Sequence, residues 1–168
     1  MDIKLSGYID DSIVDGPGIR FTVFTQGCPH RCADCHNPQT HDFEGGQWQS
    51  TEFLAACMEK NPLLSGLTLS GGEPLLQPES CAALARAAKD AGLNVWLYSG
   101  YTFEAILDAR RGDWMALLET CDVLVDGPFI AGQRTLSRKF AGSKNQRVLD
   151  IPSSLAACRA VCLPGYEP

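Results

Sequence analysis

At 168 residues and a net charge of −6, the chain suits one domain, residues 1–168, around a single core. Apolar residues make up 45% and charged residues 20%, the balance of a soluble globular protein. No apolar run suits a membrane span, the acidic balance without a basic stripe argues against nucleic acid, and the opening MDIKLSGYIDD has no apolar export core, so the expected place is the cytoplasm.

Arg20 to Thr25 (RFTVFT) reads as a strand, and a polar loop with Gly and Pro follows to about Gln49. Ser50 or Thr51 caps a predicted helix with Phe53, Leu54, Cys57 and Met58 on one face, ended by Asn61-Pro62. Gly66 to Ser70 is a second strand, Pro78 suits the first turn of a helix over Ser80 to Ala91, and Leu93 to Tyr98 is a third strand. Helical stretches follow at Thr102 to Arg110 and Asp113 to Glu119, then strands at Asp122 to Val125 and Arg147 to Ile151. Ser153 caps a last helix predicted to run through Cys162.

About five strands alternating with helices point to parallel βα units. A closed eight-stranded barrel needs roughly 250 residues, so an open sheet or a partial barrel is expected. Ligand sites in such folds gather at the carboxyl ends of the strands. The cysteine loop, Gly71-Gly72-Glu73, Ser99-Gly100 and Asp126-Gly127-Pro128 each follow a predicted strand, which puts all four on one rim.

Eight cysteines is a high count, and without an export signal it suits a reducing compartment. Cys57, Cys81 and Cys121 read as core, as do Cys158 and Cys162, four apart on one face of the predicted last helix, for which a second metal or redox pair is the alternative. Trp48, Trp96 and Trp114 read as packing residues. Cys28, Cys32 and Cys35 cluster at C-x3-C-x2-C spacing, short enough for one loop to wrap a metal. Three thiolates on an iron–sulfur cubane leave one iron without a protein ligand, and the amine and carboxylate of an amino acid could chelate it. A zinc loop with His30 or His36 as fourth ligand is the other reading of the same spacing. Gly71 and Gly72 lack Cβ atoms, so a ligand could approach their backbone closely, and Glu73 adds an acceptor; a plain turn is the bland alternative.

The segment Cys28-Pro29-His30-Arg31-Cys32-Ala33-Asp34-Cys35 resembles the cluster motif of the radical S-adenosylmethionine superfamily. Cys35-His36-Asn37, with Asp15-Gly16-Pro17-Gly18-Ile19-Arg20 upstream, resembles its glycyl-radical-enzyme activating branch. DVLVDG at 122–127 and SKNQRV at 143–148 are similar to segments of anaerobic ribonucleotide reductase activators. The resemblance covers roughly residues 8 to 150 and leaves the tail unaccounted for. It implies a partial, open (βα) barrel of the radical SAM type with about five to six parallel strands. It implies a [4Fe–4S] cluster on Cys28, Cys32 and Cys35 that cleaves S-adenosylmethionine reductively, and a radical passed to a glycine of a partner enzyme. It further places Asp34, Cys35, His36, Gly71, Gly72, Glu73, Ser99 and Asp126 against the cosubstrate. Many superfamily members carry an aromatic residue where this chain has Asp34, and some activators carry Lys in place of Pro128. A reducing partner such as flavodoxin or ferredoxin is implied too. Activation of pyruvate formate-lyase, a small-molecule radical enzyme of the deazaguanine-synthase kind, and a zinc-binding module are the alternatives.

Overall fold

The computed structural model describes Met1–Pro168. Its strands are β1 (Asp2–Ser12), β2 (Arg20–Thr25), β3 (Gln47–Ser50), β4 (Gly66–Gly71), β5 (Asn94–Tyr98), β6 (Val123–Asp126) and β7 (Arg147–Asp150). Its helices are α1 (Thr51–Glu59), α2 (Pro78–Asp90), α3 (Phe103–Asp108), α4 (Gly112–Leu118) and α5 (Ile151–Ala157). The local signals for the helices act as their chemistry dictates. Ser50 accepts the Phe53 N–H at 3.0 Å to cap α1, Thr102 caps α3 through the Ala105 N–H, and Pro78 opens α2. No helix is long and apolar enough to cross a membrane.

The strands form one open, mixed sheet of seven in the order β3-β1-β2-β4-β5-β6-β7. Pairings β2·β4, β4·β5 and β5·β6 are parallel, with Thr22 opposite Thr68, Thr68 opposite Trp96 and Trp96 opposite Val123. The five to six parallel strands expected from the sequence are thus corrected to a run of four: β2, β4, β5 and β6. β7 pairs antiparallel with β6, Asp126 opposite Arg147, because residues 127–146 hold only a single 3-10 turn at Ala131–Gln133. A parallel return needs a crossover, usually helical. β1 and β3 are additional to the strands expected from the sequence. Only Ile3, Leu5 and Ser12 of β1 are buried, too sparse for period-two alternation to stand out.

The tail brings a second correction. α5 ends at Ala157, because Cys158 turns left-handed at φ 50° and closes the helix. Its N-cap is Asp150, which accepts the Ser153 N–H at 2.8 Å, and not Ser153 itself. Beyond it the chain turns back along β7: Asp150 N–H donates to Val161 O and Leu163 N–H to Val148 O, both at 2.9 Å. Cys158 is therefore exposed while Cys162 packs on the core, and the two share no helix face. Trp96 and Trp114 are buried as expected, but Trp48 is 66% exposed.

Alternate strand residues separate two apolar regions. Phe21, Val23, Leu67, Leu69, Val95, Leu97, Leu124 and Leu149 join side chains of all five helices in the main core. On the opposite face Trp96, Val123, Val125 and Val148 form a smaller cluster, covered by Phe140, Leu163 and Tyr166 from the last loop and the tail. Arg20 is fully buried there. It donates to Thr68 Oγ1 at 2.6 Å, Leu67 O at 2.7 Å, Asn94 Oδ1 at 2.9 Å and Pro17 O at 3.2 Å. Burial lowers its pKa to about 10. Through Pro17, this side chain staples the Asp15–Ile19 turn to the sheet.

Candidate functional site

The ends of the four parallel strands converge on one cleft. Its wall includes Cys28, Cys32 and Cys35 after β2, Gly71 and Gly72 after β4, Ser99 and Gly100 after β5, and Gly127 and Phe129 after β6. Backbone bonds extend the β2·β4 pairing into the loops. Gly72 N–H donates to Thr25 O at 2.8 Å and Glu73 N–H to Gly27 O at 2.9 Å, so the glycine turn is seated directly against the start of the cysteine loop. A Cβ on Gly72 would stand 2.3 Å from Gly27 O, and Gly71 holds φ +97°. Both positions require glycine.

The cysteine loop takes a left-handed conformation twice, at Arg31 (φ 48°) and Asp34 (φ 56°). Such turns aim successive N–H groups inward, toward an electron-rich ligand. Aspartate tolerates that conformation, which accounts for residue 34 locally. Burial pushes the Cys28 thiol up, while backbone N–H groups of His30 and Arg31 pull it back. All eight cysteines are free. No three of the chain's His, Cys, Asp and Glu side chains stand close enough to hold an ion as they are.

The donor set nonetheless fits an iron–sulfur cluster. Three thiols face one cleft, and on the same wall His41 Nε2 is buried without a hydrogen-bond partner. Of the two histidines that a zinc loop would use, His30 Nε2 donates to Glu73 at 2.8 Å, and the His36 ring lies 5.0 Å from that of Phe129.

Two carboxylates have their oxygens taken by donors of the fold itself. Glu73 is fully buried, and besides His30 it accepts Ser99 Oγ–H at 3.0 and 3.1 Å, Gly100 N–H at 2.9 Å and Leu75 N–H at 3.0 Å. Asp126, 1% exposed, accepts the Phe103 N–H at 2.8 Å and Arg147 Nε–H at 3.0 Å, which ties α3 to β6 and β7. Asp34 and His36 are exposed beside the cleft and do not line it. Sequence reasoning weighed His30 only as a zinc ligand and passed over His41. No local pattern marks His41, whose part in the wall depends on the fold of the loop after Cys35.

The family described as "4Fe-4S single cluster domain" matches residues 14–149. A protein of Vibrio cholerae called "anaerobic ribonucleoside-triphosphate reductase-activating protein" is 33% identical over 83% of this chain and 92% of its own. The Salmonella typhimurium protein of the same name is 33% identical over 84% of this chain and 94% of its own. This chain belongs to the anaerobic ribonucleoside-triphosphate reductase-activating protein family. Members of that family are activating enzymes of the radical S-adenosylmethionine superfamily, as the motifs implied. The pyruvate formate-lyase-activating enzyme of Clostridium pasteurianum is 36% identical over 68% of this chain, but over only 51% of its own length. The family match ends at residue 149, within β7, and leaves out α5 and the tail.

Proposed function

We propose that the chain, as one domain, activates an anaerobic ribonucleoside-triphosphate reductase by generating a glycyl radical on it. The observation that carries this reading is the single cleft in which three free cysteines meet the glycine-lined ends of β4, β5 and β6. Cys28, Cys32 and Cys35 would hold a [4Fe–4S] cluster with one iron left to S-adenosylmethionine. When bound, cluster and cosubstrate supply one-electron cleavage of the sulfonium to methionine and a 5′-deoxyadenosyl radical, which takes a hydrogen atom from a partner glycine.

The chain's own residues bind, orient and shield. Gly71 and Gly72 line the cleft where the methionyl part would lie, and Ser99 and Gly100 form the neighbouring wall. Phe129 and Gly127 close the β6 side. A partial barrel of the radical SAM type agrees with four parallel strands, helices packed on one face, and a sheet left open at its edges. An open sheet suits a substrate that is a loop of another protein. The electron would come from a reducing protein such as flavodoxin or ferredoxin, and eight free thiols suit the reducing cytoplasm.

The test is anaerobic reconstitution, followed by iron analysis, methionine release under strong reduction, and glycyl-radical electron resonance with the reductase. Wild type is expected to hold about four irons and to yield a radical with the reductase but not with pyruvate formate-lyase. Cys28→Ser, Cys32→Ser and Cys35→Ser are expected to lose the cluster, while Cys158→Ser keeps it. Zinc in place of iron and no methionine release would sink the proposal.

A further inference from the structure

Between Pro29 and His36 the cysteine loop makes one hydrogen bond to another part of the fold: His30 Nε2–H to Glu73, 2.8 Å long and 43 positions apart in sequence. Every other hydrogen bond of that stretch stays within the loop, as Cys35 N–H to Cys32 O and Asn37 N–H to Cys35 Sγ do. The acceptor is itself a junction. Glu73 follows β4, and its fully buried carboxylate also takes Ser99 Oγ–H and Gly100 N–H from the end of β5. The imidazole is held on two sides. It stands edge-on to Tyr101 at 4.5 Å between ring centroids, and it occupies the space over Gly100 so closely that a Cβ there would lie 2.3 Å from the ring. Three separate loops of the rim thus meet at one carboxylate, and His30 is the side chain by which the cysteine loop takes part.

We infer that His30 is a positioning residue that, through Glu73, sets the spacing between the cluster-bearing loop and the rim where the cosubstrate is seated. Its ring lines the cleft, but its Nε2 is taken by Glu73, and it acts through that carboxylate. A loop of nine residues from Cys28 to His36 with two left-handed turns has several ways to wrap. One part-buried hydrogen bond to a carboxylate selects among them, and small misplacements of reacting groups are costly. The same geometry makes Glu73 a knot in the wall. Its carboxylate already has four donors, so the surface it offers the cleft consists of the groups it holds.

The inference rests on the proposed function for the identity of the ligands, and the test keeps the two apart. His30→Phe keeps a ring over Gly100 and against Tyr101 but removes the donor, whereas His30→Gln keeps an N–H at similar reach. On the cluster-free chain, amide exchange is measured at Cys35, whose N–H is bonded within the loop, and at Gly100, whose N–H is bonded to Glu73. His30→Phe is expected to exchange there at least tenfold faster than wild type, His30→Gln within about threefold, with β4 and β5 unchanged in all. On the reconstituted chain, the electron resonance of the reduced cluster is followed as S-adenosylmethionine is added. His30→Phe is expected to need at least tenfold more cosubstrate for the same spectral change, and His30→Gln to follow wild type. If His30→Phe matches wild type in both measurements, or if the Cys35 and Gly100 amides are unprotected in wild type, the inference is overturned. If His30→Phe takes up no cluster, the exchange measurement decides alone. A wild-type cluster that ignores S-adenosylmethionine would instead overturn the proposed function, and exchange would still test the tie.

Discussion

Replacing Gly72 with alanine tests the seat on which the cysteine loop rests. The new Cβ would lie 2.3 Å from Gly27 O and 3.0 Å from Thr25 O, both backbone atoms that cannot swing aside. A carbon and an oxygen normally approach to about 3.3 Å, so Gly27 must retreat by about 1 Å. That movement breaks the 2.9 Å bond from Glu73 N–H to Gly27 O. Overpacking of this kind costs about 1–3 kcal/mol and the lost hydrogen bond about 1 kcal/mol, so Gly72→Ala should destabilise by about 2–4 kcal/mol. At this chain length the melting temperature should fall by about 5–15 °C. Urea unfolding of the cluster-free chain measures the first quantity, and iron per chain after reconstitution reports whether Cys28 is still correctly placed. Gly112→Ala is the control: nothing lies within 4 Å of its Cβ position at the start of α4, and it should be neutral or stabilising by up to about 1 kcal/mol. Gly72→Ala within about 0.5 kcal/mol of wild type, with unchanged iron, would refute the reasoning.

Asp126→Asn should cost about 1–3 kcal/mol in urea unfolding, because a buried acceptor of Arg147 and of the Phe103 N–H is weakened. The cluster's response to S-adenosylmethionine should stay as in wild type, and a selective loss of that response would return Asp126 to the cosubstrate site. The Arg147 hydrogen bond holds the Glu104 carboxyl below the usual carboxylate range. Its stabilisation is complete above the unfolded pKa of about 4.3 and fades as pH falls through the lower folded value, so urea midpoints of Glu104→Gln should fall less than those of wild type between about pH 5 and 3. Equal slopes would rule the pair out as a contributor. Burial pushes the Cys121 thiol up to about 12, and Cys81 is fully buried, whereas Cys158 is exposed. An alkylating reagent under native conditions should modify Cys158 and reach Cys81 and Cys121 only after denaturation; equal rates would contradict the core described here.

Much of the site was legible because its signals are local. Cysteine spacing, glycine pairs at strand ends, and cap residues such as Ser50 and Thr102 act on neighbours within a few positions. They point to the same loops in the sequence and in the fold. Strand β1 was hidden for the opposite reason: SGYIDD reads as a polar stretch and becomes a strand only by pairing, Tyr8 with Val23 and Ile9 with Thr22 on β2. The tail shows a related limit. Asp150 and Ser153 are both good caps by chemistry, and the return of Val161 along β7 decides between them.

Residue type and spacing alone already marked the loops that the fold gathers at one cleft, because thiols and glycine pairs stand out locally. Only the tertiary structure decided where the side chains of those loops point. The partners of a buried carboxylate come from other strands: Glu73 meets His30 from 43 positions away and Ser99 from 26, and Asp126 meets Arg147 from 21. Strand direction has the same origin, since β7 runs antiparallel through how the chain returns after β6, and its four residues read alike in either direction. Long-range neighbours satisfy buried polar groups, and a linear pattern does not name them.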